Sequence, residues 1–152
     1  MNFIIKIIKI KVKLMKDYYS ILGVTRTASP QQIANAFRAL ALELHPEKNK
    51  DNGRLAVATY AFSEICEAYE VLSTQELKDA FDKYGEELMK TGVPDKKYGF
   101  KAGYKFLGNS FEIFEKFFGT TNPYAVALDE HCRTIGALET KKAVDMLAAQ
   151  QK

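Results

Sequence analysis

Two apolar stripes at helical spacing, separated by a wholly polar stretch, constrain this chain more than any other feature of its sequence. The first has a well-marked start: Ser29 supplies a capping hydroxyl, Pro30 occupies the first turn, and Gln32 completes a capping box. Ile33, Phe37, Leu40, Ala41 and Leu44 then recur on one helical face until Pro46 stops the helix. Residues 47–53, EKNKDNG, are all polar and contain turn formers, so they read as a loop. Phe62, Ile65, Tyr69 and Leu72 form the second stripe. Two amphipathic helices joined this way bury their stripes against each other as an antiparallel hairpin, which makes the fold class all-α.

The flanks add shorter helices. Residues 17–23, DYYSILG, form a helix with Tyr19 and Leu22 on one side and Gly23 at its end. The expected hairpin core is therefore Tyr19, Leu22, Ile33, Phe37, Leu40, Leu44, Phe62, Ile65, Tyr69 and Leu72. Ser73-Thr74-Gln75-Glu76 reads as a second capping box, opening a fourth helix through Tyr84 that Gly85 ends. Four helices over residues 16–85 make one small domain. Residues 86–109 interleave glycines with Tyr98, Phe100, Tyr104 and Phe106 and read as a flexible Gly/aromatic linker. Residues 110–124 hold a short helix with Ser110 as cap and Gly119 as stop. Its four rings, Phe111, Phe114, Phe117 and Phe118, are too apolar for water. Burying each is worth roughly 2–3 kcal/mol, so the helix is expected to dock with all four covered. The tail, 125–152, carries an amphipathic helix from Ala137 to Gln150.

Composition narrows the function classes. A net charge of +3 makes no global demand for nucleic acid. Cys66 and Cys132 form no C-x-x-C pair, which fits free thiols in a reducing, cytoplasmic setting. His131 beside Cys132 lacks the further ligands a metal needs, so no metal or cofactor is expected. Residues 1–15 alternate isoleucines with lysines, fitting an edge strand or a membrane-surface segment. They lack the length and apolar continuity of a membrane span, and no membrane partner is expected. Met15-Lys16-Asp17 looks like a natural start, and we read the leader as an appended or mispredicted segment. A small enzyme finds no support, since there is no nucleophile–base pair, metal cluster or phosphate loop.

His45, taken alone, is a loop histidine that stabilises the hairpin turn. Its neighbours give it a second meaning. The segments DYYSILGV at 17–24, Ala36-Phe37-Arg38-Ala39-Leu40-Ala41, His45-Pro46-Glu47-Lys48-Asn49, Ala68-Tyr69-Glu70-Val71-Leu72-Ser73 and Phe81-Asp82-Lys83-Tyr84-Gly85 resemble the DnaJ family in order and spacing. The resemblance covers about half the chain. Residues 117–124, FFGTTNPY, further resemble the FFG-x-x-NP-aromatic box of type II members. It implies a J-domain that stimulates ATP hydrolysis by a DnaK-type chaperone, through a basic face on the second helix and a His-Pro-Asp loop. It also implies that a helix at the FFG box can fold back over that face.

The chain departs from this pattern where the chemistry lies. Glu47 stands in place of the loop aspartate, and one extra methylene misplaces a bidentate carboxylate by about an ångström. Ala34, Asn35, Ala39 and Glu43 occupy positions where similar members carry lysine or arginine, leaving Arg38, Lys48 and Lys50 as the residual basic contacts. Zinc repeats and client-binding β-domains are not found after the FFG box. The expectation is a J-like interaction or structural subunit of a multi-subunit protein assembly, with its chaperone coupling weakened. An active co-chaperone is the alternative. The degenerate loop and tail are similar to J-like subunits of ciliary axonemes, the radial spoke in particular.

Overall fold

The computed structural model describes residues 17–93 and 101–150; the leader lies outside them. Helix α1 spans Tyr18–Leu22 and closes on Gly23, whose φ of 71° is the left-handed conformation that ends a helix at little steric cost to glycine. Helix α2 spans Pro30–Leu44. Its capping box forms as expected: Ser29 Oγ accepts from the Gln32 amide at 3.2 Å, and Gln32 Oε1 accepts from the Ser29 amide at 2.8 Å. Helix α4, Leu55–Ser73, packs along α2 and also carries α1 on its flank.

The seam between these helices is the hairpin core. Tyr19, Leu22, Ile33, Phe37, Leu44, Phe62, Ile65 and Leu72 are buried there as expected, joined by Tyr18, Cys66, Val71 and Phe81. Leu40 and Tyr69 are only half-buried and pack against the core from its edge. Among the described residues the fold is all-α apart from one pairing of two residues with two.

Six local expectations are corrected. The polar stretch after Pro46 is not open loop: Pro46–Asn49 form one helical turn, α3, and Lys50–Asn52 a 3-10 turn. His45 caps that turn and Pro46 fills its first position, so the chain starts a new helix where the old one ends. The expected capping box at Ser73 does not form. Ser73 belongs to α4, its hydroxyl turned to the Glu70 carbonyl, and Thr74 makes no side-chain cap bond. Gly85 does break helix α5, with φ 77° and ψ 177°, but helix resumes beyond it and α5 runs from Gln75 to Thr91.

In its described parts the Gly/aromatic segment is not a loose linker either; Tyr98 and Phe100 lie outside the described residues. Gly92–Val93 (β1) pair antiparallel with Lys101–Ala102 (β2), and the Tyr104 amide donates to the Met89 carbonyl at 2.8 Å. Helix α6, Ser110–Phe118, is preceded by Asn109 as cap, with Ser110 inside the helix and buried. Finally, the last helix, α7, is one piece from Pro123 to Gln150 rather than starting at Ala137. Asn122 Oδ1 accepts from the Tyr124 amide at 3.0 Å, and Pro123 needs no partner for an N–H it lacks.

The two capping sites give a direct contrast. Ser29→Ala is expected to destabilise the domain by about 1 kcal/mol in urea melts, whereas Thr74→Ala should change it by only a few tenths. Equal losses at both sites would contradict the capping geometry described.

Candidate functional site

His45 ends α2 and begins α3, and every contact it makes follows from that double position. Its φ of −55° and ψ of 129° take the chain out of the helix. Its Nδ1 accepts from the Glu47 amide at 3.2 Å, capping the new turn and leaving the ring hydrogen on Nε2. Asn49 locks the same corner from below. Its side-chain amide donates to the carbonyls of Glu43 at 3.0 Å and His45 at 2.9 Å, satisfying the end of α2. Asn49 was part of the sequence motif but was not singled out as a site residue; an amide within reach of a helix end was the available signal.

Helix α6 lies in the groove between α2 and α4 and covers this corner. Its rings enclose His45, with centroid distances of 4.7 Å to Phe114 and 5.6 Å to Phe111, while Phe62 of α4 closes the remaining side at 5.1 Å. His45 is 3% exposed, and its Nε2 has no hydrogen-bond partner among the described residues. Burial holds the imidazole below its ordinary pKa, with Glu47 pulling the other way and Lys48 adding to the depression.

The four phenylalanines are not equivalent. Phe114 is fully buried, and Phe117 and Phe118 are half-buried against α2. Phe111, expected to be covered, is 51% exposed. It flanks the central stripe of Ser110, Ile113, Phe114 and Phe117, so one face of its ring meets His45 and Phe62 while the other meets solvent. Ile113, which the sequence reading passed over, occupies the buried place instead.

The three expected basic contacts fare differently. Arg38 stacks over the Phe118 ring at 5.6 Å and is ion-paired with Glu130 of α7. Lys50 is paired with Glu47, whose carboxyl is held below the usual range mainly by that hydrogen bond, with the lysine raised in return. Lys48 is exposed. Ala34, Asn35 and Ala39 lie outside the buried core, where a cation could meet a partner, but their side chains are neutral. Helix α7 contributes more than the sequence suggested. Pro123 and Val126 are buried against the covered groove, and the Tyr124 hydroxyl approaches the Glu47 carbonyl at 3.4 Å. Because that end of α7 has little amphipathic contrast, periodicity gave no hint of it.

No group of His, Cys, Asp and Glu among the described residues could hold a metal ion, and no described helix is long and apolar enough to cross a membrane. The chain is similar to known proteins. Residues 17–82 match the DnaJ domain family. The DnaJ protein homolog 1 of Drosophila melanogaster is 45% identical over 72% of this chain and 32% of its own length. Human DnaJ homolog subfamily B member 13 is 38% identical over 75% of this chain and 36% of its own. Human DnaJ homolog subfamily B member 6 is 41% identical over 73% and 34%. The chain thus spans about a third of the length of these curated relatives. Among solved structures, the J-Trx1 fragment of ERdj5 matches 48% of this chain and 35% of its own at 46% identity, with a TM-score of 0.43.

The buried imidazole makes a pH prediction. Its folded pKa lies below the unfolded value of about 6.5, so the unfolded chain binds the extra proton first as pH falls. The stability tied to neutral His45 is complete above about pH 6.5 and declines as pH drops below it toward the folded pKa. Urea melts at pH 7.5 and 5.5 should therefore show a loss for the parent chain that His45→Gln largely removes. Identical pH dependence in both proteins would contradict the buried neutral ring.

Proposed function

We propose that this chain, a DnaJ-family protein through the J-domain at residues 17–82, is an interaction subunit of a larger assembly with weak or no stimulation of a DnaK-type chaperone ATPase. J-domain proteins interact with Hsp70 chaperones. The observation that carries the reading is the cover: α6 occupies the groove between α2 and α4 and encloses His45, the centre of the loop through which such a partner would be met. Arg38, the remaining cation on α2, is engaged by Glu130 and Phe118 of the same chain. Glu47, one methylene longer than aspartate, turns its carboxylate to Lys50. Electrostatic encounter depends on clustered charge that a partner can reach, and here that charge is sparse, with Arg38 and Lys50 already paired within the chain.

The assembly we propose is the ciliary axoneme, with the radial spoke as the site, and a cytoplasmic pool before incorporation. This placement is supported by the resemblance of the His-Pro-Glu loop and the Gly/aromatic tail to J-like axonemal subunits. Fractionation of detergent-extracted cilia tests it: the tagged protein should remain with the axoneme. Recovery wholly in the soluble fraction would count against it.

An active co-chaperone is the second reading. It is favoured by the intact cap geometry of the loop and by the solvent exposure of the Glu47 carboxylate. A titration of chaperone ATPase separates the two readings. The parent chain should stimulate far less than a His-Pro-Asp J-domain, and Glu47→Asp alone should recover only a small part, because cover and helix charge remain unrepaired. Glu47→Asp with Phe114→Ala, Asn35→Lys, Ala39→Lys and Glu43→Lys should recover much more, with strong salt sensitivity. Full activation by Glu47→Asp alone would overturn the interaction-subunit reading.

A further inference from the structure

The segment between the J-domain and its cover is tied down at several points, all near one stretch of α4. Lys90 Nζ lies 2.9 Å from Glu67 Oε1 and 2.9 Å from Glu86 Oε1. Glu67 is buried and also accepts the Tyr18 hydroxyl at 2.8 Å, so this anchor reaches the core of the domain. Met89 beside it is 2% exposed. The returning strand then passes so close that a Cβ at Gly103 would fall on the Lys90 carbonyl, which leaves glycine as the residue that fits. Tyr104 follows with two bonds, its amide to the Met89 carbonyl and its hydroxyl to Glu70. Burial and that carboxylate push the Tyr104 phenol above its ordinary range, so it remains a donor. Tyr104 and Phe106 both pack against the core.

We propose that residues 86–93 and 101–106 act as a strap that sets how often α6 leaves its groove, with Gly103 and Tyr104 as its positioning residues. The proposal rests on the reading of α6 as a cover. Strap and cover share α4: Glu67 and Glu70 hold the strap, while their neighbours Cys66 and Tyr69 face α6. With the strap in place, α6 hangs on a tether of roughly four residues after Phe106; released back to Gly85, the tether would be roughly 25 residues. Closure probability falls as about the three-halves power of tether length, so full release of the strap makes the open state about fifteen-fold more populated. Opening is thereby tuned without any change in the rings that make the cover.

Cys66 supplies the readout. It is fully buried, its thiol donates to the Ser110 carbonyl of α6 at 3.6 Å, and burial pushes the thiol up to about 12, so it reacts only after opening. In a Cys132→Ser background it is the one remaining thiol, since the chain has two cysteines. The experiment compares the labelling rate of Cys66 by a small thiol reagent in that background, in Gly103→Ala, in Tyr104→Phe and in Phe114→Ala, with circular dichroism melts on each. Gly103→Ala pries the strap from Lys90 and Tyr104→Phe deletes its bond to Glu70, and neither touches α6. Each strap variant should label several-fold faster, up to about fifteen-fold, while still melting cooperatively. If Phe114→Ala labels quickly but both strap variants stay within about two-fold of the parent, the strap is overturned and the cover stands. If Phe114→Ala also labels at the parent rate, the cover reading fails and the strap with it.

Discussion

The stacking of Phe37 on Tyr69, with ring centroids 4.3 Å apart and planes 15° from parallel, holds α2 against α4 and also forms the floor on which α6 lies. Phe117 meets both rings edge-on, at 5.1 Å from Phe37 and 5.3 Å from Tyr69. Edge-to-face contact on a stacked pair is a favourable arrangement for ring quadrupoles, and it needs the pair to be formed first. Phe37 is fully buried, with Phe117 of α6 on one side and the hairpin seam on the other. Loss of that ring would therefore weaken fold and cover together, whereas Phe114, at the His45 end, belongs to the cover and the loop corner.

The loop corner shows how little room the chain has for alternatives. His45 must leave the helical region to cap α3, Pro46 must follow at the first position of the new turn, and Asn49 must return to close the end of α2. A histidine serves here because one ring nitrogen accepts the Glu47 amide while the rest of the ring presents an apolar edge to phenylalanines. The cost is the other nitrogen, buried with no hydrogen-bond partner among the described residues. A structural account of His45 and a partner-binding account are thus compatible: the ring that shapes the turn is also the one that a departing α6 would expose.

Periodicity made the hairpin legible, because Ile33, Phe37, Leu44 and Phe62, Ile65, Leu72 repeat at the helical interval and local order suffices to read them. The Ser29 box was readable for the same reason, its partners lying within one turn. The strap was not readable. Its bonds join Tyr104 to Glu70 and Lys90 to Glu67, across intervals that no local pattern encodes, and glycine content suggested looseness where Gly103 in fact permits close packing. Asn122-Pro123 was a usable start signal for α7, overlooked because the following residues lack an apolar stripe. The site residues split along the same line. His45 and Phe114 stood out by motif and composition, whereas Asn49, Tyr124 and Glu130 act only through contacts made by folding.

Two kinds of contact hold the cover, and they differ in what they control. Arg38 and Glu130 are each about 40% exposed, so their ion pair contributes little in water and less in salt. The rings of α6 contribute roughly 2–3 kcal/mol for each one fully buried, which places most of the holding strength in Phe114 and its half-buried neighbours. Strength is therefore apolar and nearly indifferent to salt, while the charge pair between α2 and α7 adds little to it. A partner competing for the groove meets both terms in reverse order. It can take Arg38 from Glu130 at small cost, but it gains His45 only after the rings have moved, and its apparent affinity falls by the fraction of molecules that are open. Because that fraction depends on ring burial and on tether length, access to the loop is governed by residues far from it in sequence, and the charge face alone cannot open it.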